Sequence, residues 1–289
     1  MPHIRESNIK AHYHSDNLVQ KIQYALEKAG KDLSRLELKD LSRLELKDLS
    51  PVDQLHTGGA MAGINLFRKV GILPDERVLD AGCGIGGSSR LLAKEFNCRV
   101  TGLDLSDRFI ECAGFLTKCT GLENRVNFRE GSVTRLPFED HSFDAVLSQH
   151  LLMNIEDKAA GLKEFHRVLK PGGKLVLHEI TRGSGNGMHY PVPWAAKASI
   201  SFLEPWKELA GLIEQAGFEK TFAFDESGPA GLWWGKVKTI TETRPPLPDA
   251  LGPGLVFGNN ANFFGRNMET NFKNNAICLV EALFKKGSE

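Results

Sequence analysis

From Arg77 to Ile180 the chain alternates apolar runs with amphipathic stretches over short connections, and this rhythm constrains the fold more than any other feature. RVLDAG (77–82), CRVTGLDLS (98–106), VNFREG (126–131), SFDAVLSQHLLMNI (142–155) and KLVLHEI (174–180) read as strands. GSSRLLAKEF (87–96), DRFIECAGFLTKCTGL (107–122) and AAGLKEFHRVLKPGG (159–173) read as the helices between them. Strands separated by helices cannot pair as hairpins, so the pattern predicts an α/β doubly wound, mostly parallel sheet. In such a sheet the ligand sits outside the carboxyl ends of the strands, beside the first glycine loop.

That loop is DAGCGIGG, Asp80–Gly87. Gly82, Gly84 and Gly87 satisfy the spacing of a dinucleotide fingerprint, and Asp104 follows where a ribose ligand is wanted. Asp80 argues against a dinucleotide. A carboxylate at the end of the strand would face the site that should receive a pyrophosphate anion. S-adenosylmethionine has no phosphate and carries a sulfonium and an ammonium, so the same carboxylate becomes favourable. Asp104 suits either ligand, because a carboxylate can accept from both hydroxyls of a ribose diol.

Composition removes other classes. Lys plus Arg and Asp plus Glu are both 36, so there is no basic footprint of a nucleic-acid partner. No apolar stretch is long enough for a membrane span, and the polar N-terminus lacks a signal-peptide core. The five cysteines, Cys83, Cys98, Cys112, Cys119 and Cys278, form no C-x-x-C pair. That disfavours a disulfide framework or zinc site and fits a reducing cytoplasm. No metal is expected. KDLSRLEL occupies 31–38 and repeats at 39–46, but its leucines follow neither helical nor strand periodicity, so it reads as a duplication within a linker. Residues 16–29 read as a helix with Asp16 as N-cap and Gly30 at its C-terminal end.

VLDAGCGIGG, VTGLDLS, LPFEDHSFDAVLSQ and RVLKPGGKLVL, in that order, resemble the successive motifs of class I S-adenosylmethionine-dependent methyltransferases of the small-molecule type. The resemblance implies a Rossmann-like seven-stranded sheet with an antiparallel last strand. It implies that Asp80, Gly82 and Gly84 line the methionine end, and that Asp104 and Leu105 meet the ribose and adenine. Ser132 and Val133 of the EGSV segment would adjoin the adenine, Ser132 standing where the family often has an acid. Gln149 would meet the methionine moiety. GCGIGGSSRLLA with QHLLMNIEDK resembles the tocopherol methyltransferases. DLSPVDQLHTGGAMAG resembles the entry segment of sarcosine and dimethylglycine methyltransferases, and the ubiquinone/menaquinone-biosynthesis enzymes share the core motifs.

The implied reaction is in-line transfer of a methyl group from S-adenosylmethionine to the nitrogen or carbon of a small-molecule acceptor. O-methylation of a phenolic natural product and a non-catalytic S-adenosylmethionine-binding protein remain open. His150 at the end of the fourth strand, His178 at the end of the fifth and His56 in the entry segment are the candidate bases, each with a packing role as its alternative. The domain reading is an N-terminal helical and linker segment at 1–70 and a methyltransferase domain at 71–289. Substrate-cap insertions are expected at 181–205 and 225–275. Trp and Tyr side chains there could enclose an ammonium or simply pack under long loops.

Overall fold

The computed structural model describes residues 2–13, 16–31, 33, 44–244, 247 and 249–287. Seven strands form one sheet in the order β3-β2-β1-β4-β5-β7-β6. They are β1 (Arg77–Ala81), β2 (Arg99–Asp104), β3 (Val126–Glu130), β4 (Phe143–Gln149), β5 (Leu169–Arg182), β6 (Phe218–Asp225) and β7 (Ile277–Lys286). The first five run parallel, and β7 lies antiparallel between β5 and β6. The doubly wound α/β sheet is therefore present, with its last strand reversed.

Successive strand residues point to opposite faces, and here both faces are buried. Leu79, Leu103, Val146 and Leu177 pack on α7 (Lys158–Val168) and α8 (Trp206–Gln215). Val78, Val100, Leu147 and Val176 pack on α4 (Gly59–Lys69) and α5 (Gly87–Phe96). Strand order reverses between β1 and β4, which opens a crevice at their carboxyl ends.

Three differences from the sequence reading have local causes. The helix expected over 159–173 stops at Val168, and Leu169–Gly173 belong to β5. Lys170 precedes Pro171, which disfavours helical backbone there. The ammonium of Lys286 then closes the helix end, donating to the carbonyls of His166 at 2.7 Å and Leu169 at 2.8 Å. The sequence reading implied seven strands but did not locate β6, because it is an edge strand whose mostly exposed residues carry little hydrophobic alternation. The Gly-, Pro- and Asn-rich stretch before β7 contains two helices, α10 (Gly254–Phe257) and α11 (Ala261–Lys273), and α11 packs on α9 (Ser227–Thr243).

The N-terminal segment is also helical: α1 (Pro2–His12), α2 (Leu18–Lys28) and α3 (Leu46–Asp53) precede α4. The N-cap of α2 is Asn17 rather than Asp16. Leu18, Ile22 and Leu26 of α2 pack against Phe109, Cys112 and Leu116 of α6 (Asp107–Thr120). Residues 34–43 of the duplicated stretch lie outside the described residues. Its flanks do not run over the surface, since Leu33, Leu44 and Leu49 are buried in the same cluster.

Arg90 of α5 fixes α3 to the glycine loop. Its guanidinium is fully buried and meets Asp53 Oδ2 at 2.9 Å, the Ile85 carbonyl at 2.8 Å and Thr117 Oγ1 at 3.1 Å. Removing one partner strands the other charge in the core. Asp53→Ala should therefore lower unfolding free energy in urea by about 3–5 kcal/mol. The double variant Asp53→Leu/Arg90→Met should recover much of that loss.

Candidate functional site

The crevice is a cavity of about 440 Å³ walled by the glycine loop, the ends of β2 and β4, and the N-terminal helix α1. Asp80, Gly82, Gly84, Asp104, Leu105, Ser132, Val133, Gln149, His56 and His150 all line it. His178 does not line it and stands behind His150.

The glycine loop has its shape because Gly82 takes φ +71°, where a side chain would be strained and its Cβ would lie 2.7 Å from Leu151. The buried carboxylate of Asp80 accepts from Ser89 Oγ at 2.6 Å, and burial pushes its pKa up to about 6. Asp104, at the end of the neighbouring strand, accepts from the Gly84 N–H and the Ser106 N–H, each at 2.9 Å. Burial also raises its pKa, against the pull of those N–H groups. Each of these carboxylates raises the cost of ionising the other, so the cleft between them favours a cation.

The opposite walls are polar but sparsely paired. Gln149 accepts from Ser88 Oγ at 2.6 Å, while its Nε2 is buried with no partner in the protein. Ser132 Oγ donates to Glu6 Oε1 at 2.6 Å, so α1 brings an acid to the position where the loop itself has a hydroxyl. Tyr13, just past α1, donates to Asn154 Oδ1 at 2.8 Å, and Asn154 Nδ2 donates to the Trp194 carbonyl at 2.8 Å. Glu6, Tyr13 and Asn154 all line the cavity. Sequence reasoning missed them because they depend on α1 folding back across the sheet, and no short-range pattern announces that.

The three candidate histidines form one cluster. The rings of His150 and His178 stack with centroids 5.1 Å apart, and His56 stands edge-on to both at 6.3 and 5.7 Å. Burial drives the His56 pKa down to about 4 and that of His178 to about 3, and lowers that of His150 strongly, so all three rings are neutral at pH 7. Nε2 of His150 and Nδ1 of His178 are sealed inside the protein without partners. His150 takes φ +53°, a left-handed backbone in the tight turn after β4. That turn is held by Glu179, whose carboxylate accepts from Ser148 Oγ at 2.6 Å and from the N–H groups of Leu151 and Leu152 at 3.1 Å. Burial raises its pKa to about 7.

The aromatic residues divide. Trp194, Phe257 and Tyr13 reach the cavity, whereas Met188, His189, Tyr190, Trp233 and Trp234 do not line it. Trp234 is buried and donates to Thr57 Oγ1 at 3.1 Å. Among the described residues no His/Cys/Asp/Glu group could hold a metal ion, and no helix is long and apolar enough to cross a membrane.

A methyltransferase-domain family model matches residues 79–177, which include Asp80, Asp104 and Gln149. A 2-methyl-6-phytyl-1,4-hydroquinone methyltransferase of Synechocystis is 32% identical over 209 residues, covering 71% of this chain and 61% of that one. Phosphoethanolamine N-methyltransferase 1 of maize is 31% identical over 163 residues, 56% of this chain. The match spans only 28% of the maize protein. Among solved structures, geranyl diphosphate C-methyltransferase of Streptomyces coelicolor, in complex with Mg²⁺, geranyl-S-thiolodiphosphate and S-adenosyl-L-homocysteine, shares the fold. Its TM-score is 0.67 over 98% of both chains, at 17% identity.

The histidine cluster has a pH signature. Below about pH 6.5 the unfolded chain protonates these rings, while the folded chain refuses protons until about pH 4 at His56 and about pH 3 at His178. Unfolding then takes up protons, and stability falls as pH falls through that window. Asp80 and Glu179, with raised values, act in the opposite direction. In chemical denaturation between pH 6.5 and 4, His178→Phe should therefore lose stability less steeply than the wild type, by up to about 1.4 kcal/mol per pH unit.

Proposed function

We propose that the chain, which carries a methyltransferase domain over residues 79–177, transfers a methyl group from S-adenosylmethionine to a small-molecule acceptor held in the crevice at β1 and β4. The observation that carries this reading is the pair of carboxylates lining the cavity within the matched segment, the buried Asp80 at the start of the glycine loop and Asp104 at the end of β2. A pyrophosphate would be repelled there, and a cationic nucleoside is attracted.

The residues present fit the cofactor. Asp80 would face its ammonium, and Asp104 retains lone pairs for the ribose hydroxyls after accepting two backbone N–H bonds. The buried, unpartnered Nε2 of Gln149 is a donor in need of an acceptor, which the methionine carboxylate would supply. Glu6, held by Ser132, would accept from the adenine amino group. When bound, the cofactor would supply an electrophilic methyl whose bond to sulfur breaks as the acceptor's electron pair forms the new bond, the sulfur leaving as a neutral thioether. The chain's contribution is alignment, exclusion of water and a neutral imidazole at the cavity wall, His150, that would orient the acceptor's protic group by a hydrogen bond. His56 of the entry segment, Trp194 and Phe202 of the first cap insertion and Phe257 of the second would form the acceptor side of the enclosure. The five free cysteines support a reducing compartment such as the cytoplasm.

Calorimetry with S-adenosylhomocysteine and transfer of labelled methyl test the reading together. Asp104→Ala and Glu6→Gln should weaken S-adenosylhomocysteine binding by about tenfold or more. His150→Ala should lower turnover while leaving that affinity within about twofold of wild type. Unchanged affinity in Asp104→Ala would overturn the ribose assignment.

A further inference from the structure

We propose that the methyl acceptor is an uncharged, largely apolar hydroxyarene of the alkylated phenol or hydroquinone type, and that phosphate- or carboxylate-bearing amines are excluded. This rests on the methyl-transfer reading of the same cavity and identifies its acceptor by the charge and polarity of the wall.

Cations are the first consideration. Among the described residues, Lys10 is the one lysine or arginine that lines the cavity. It is committed at the β2–β3 end, 3.1 Å from Asp107 Oδ1 and 2.9 Å from Glu130 Oε1. Two other cations stand behind the walls. Arg90 is paired with Asp53, donates to the carbonyls of Ala113 and Ile85, and does not line the cavity. Lys158 is buried and donates to the carbonyls of Ile155 at 2.8 Å and Phe202 at 2.5 Å, so it braces the acceptor wall without entering the cavity. Among the described residues, a phosphate or carboxylate entering beside His56 and His150 would meet no free cation, and an ion buried unpaired is strongly disfavoured.

A cationic acceptor fares no better. The deep carboxylates, Asp80 and Asp104, belong to the cofactor end. Asp53 is paired with Arg90. Glu156 and Asp157 are exposed at the rim, and Asp157 caps α7 through the Ala160 N–H. Tyr13 packs edge-on against Phe109 and Phe257, so these rings satisfy one another instead of turning their faces to a common point. Surroundings that hold three imidazoles neutral also oppose a buried ammonium.

An uncharged ring with a hydroxyl matches what remains. Leu55, Leu151, Ile155, Trp194 and Phe202 offer apolar area for a ring and its alkyl substituent. Tyr13, Asn154 and a neutral His150 can each exchange a single hydrogen bond with a hydroxyl.

The test uses wild-type protein saturated with S-adenosylhomocysteine and titrated, without oxygen, with a decyl-substituted methylhydroquinone, with phosphoethanolamine and with sarcosine. The hydroquinone should bind at least about tenfold more tightly than either amine, and labelled methyl should pass to its organic extract. Ile155→Arg, which places a cation in the acceptor wall, should weaken the hydroquinone and admit phosphoethanolamine. Equal or tighter binding of either amine to the wild type would overturn the proposal, as would failure of the hydroquinone to bind the S-adenosylhomocysteine complex. Failure of S-adenosylhomocysteine itself to bind would instead remove the methyltransferase reading, and this proposal with it.

Discussion

The carboxylate of Asp104 ties the end of β2 to the glycine loop of β1 by accepting the Gly84 N–H, and to the start of α6 by accepting the Ser106 N–H. Much of the crevice depends on that junction. The reversal of strand order between β1 and β4 creates the opening, but a glycine loop with φ +71° at Gly82 has no intrinsic preference for one path. A charged acceptor bridging two N–H groups gives it one. Arg90 does the same from the other side, clamping Ile85 of the loop to Asp53 of α3. The loop is therefore preorganised by its neighbours, at the expense of burying charged groups.

Electrostatics then divide the cavity. One end has two carboxylates made difficult to ionise by burial; the other has imidazoles made difficult to protonate by the same cause. Desolvation acts on both, with opposite effects on an acid and a base. A cation is stabilised at the first end and not at the second.

Much of the architecture was legible in the sequence because it is local. The β-strands of the parallel sheet and the helices between them announce themselves by period, and Asp80, Asp104 and Gln149 sit at strand ends that the period locates. What was not legible is long-range or solvent-facing. Strand β6 lies at an edge, where exposure removes the alternation that marks buried strands. The end of α7 depends on Pro171 and on Lys286, distant in the chain. Glu6 and Tyr13 reach the cavity only because α1 lies across it, so the acid absent beside Ser132 could not be found by reading the neighbouring residues. His178 looked equivalent to His150, yet one residue of register on adjacent strands places it behind the cavity wall.

The left-handed backbone at His150 has a consequence for how this position can evolve. A β-carbon there costs about 1–2 kcal/mol that glycine would not incur. Selection for thermal robustness alone would drift toward glycine, whereas the proposed role of His150 in turnover would hold the imidazole. On that proposal the turn after β4 is a place where durability and activity compete for one residue.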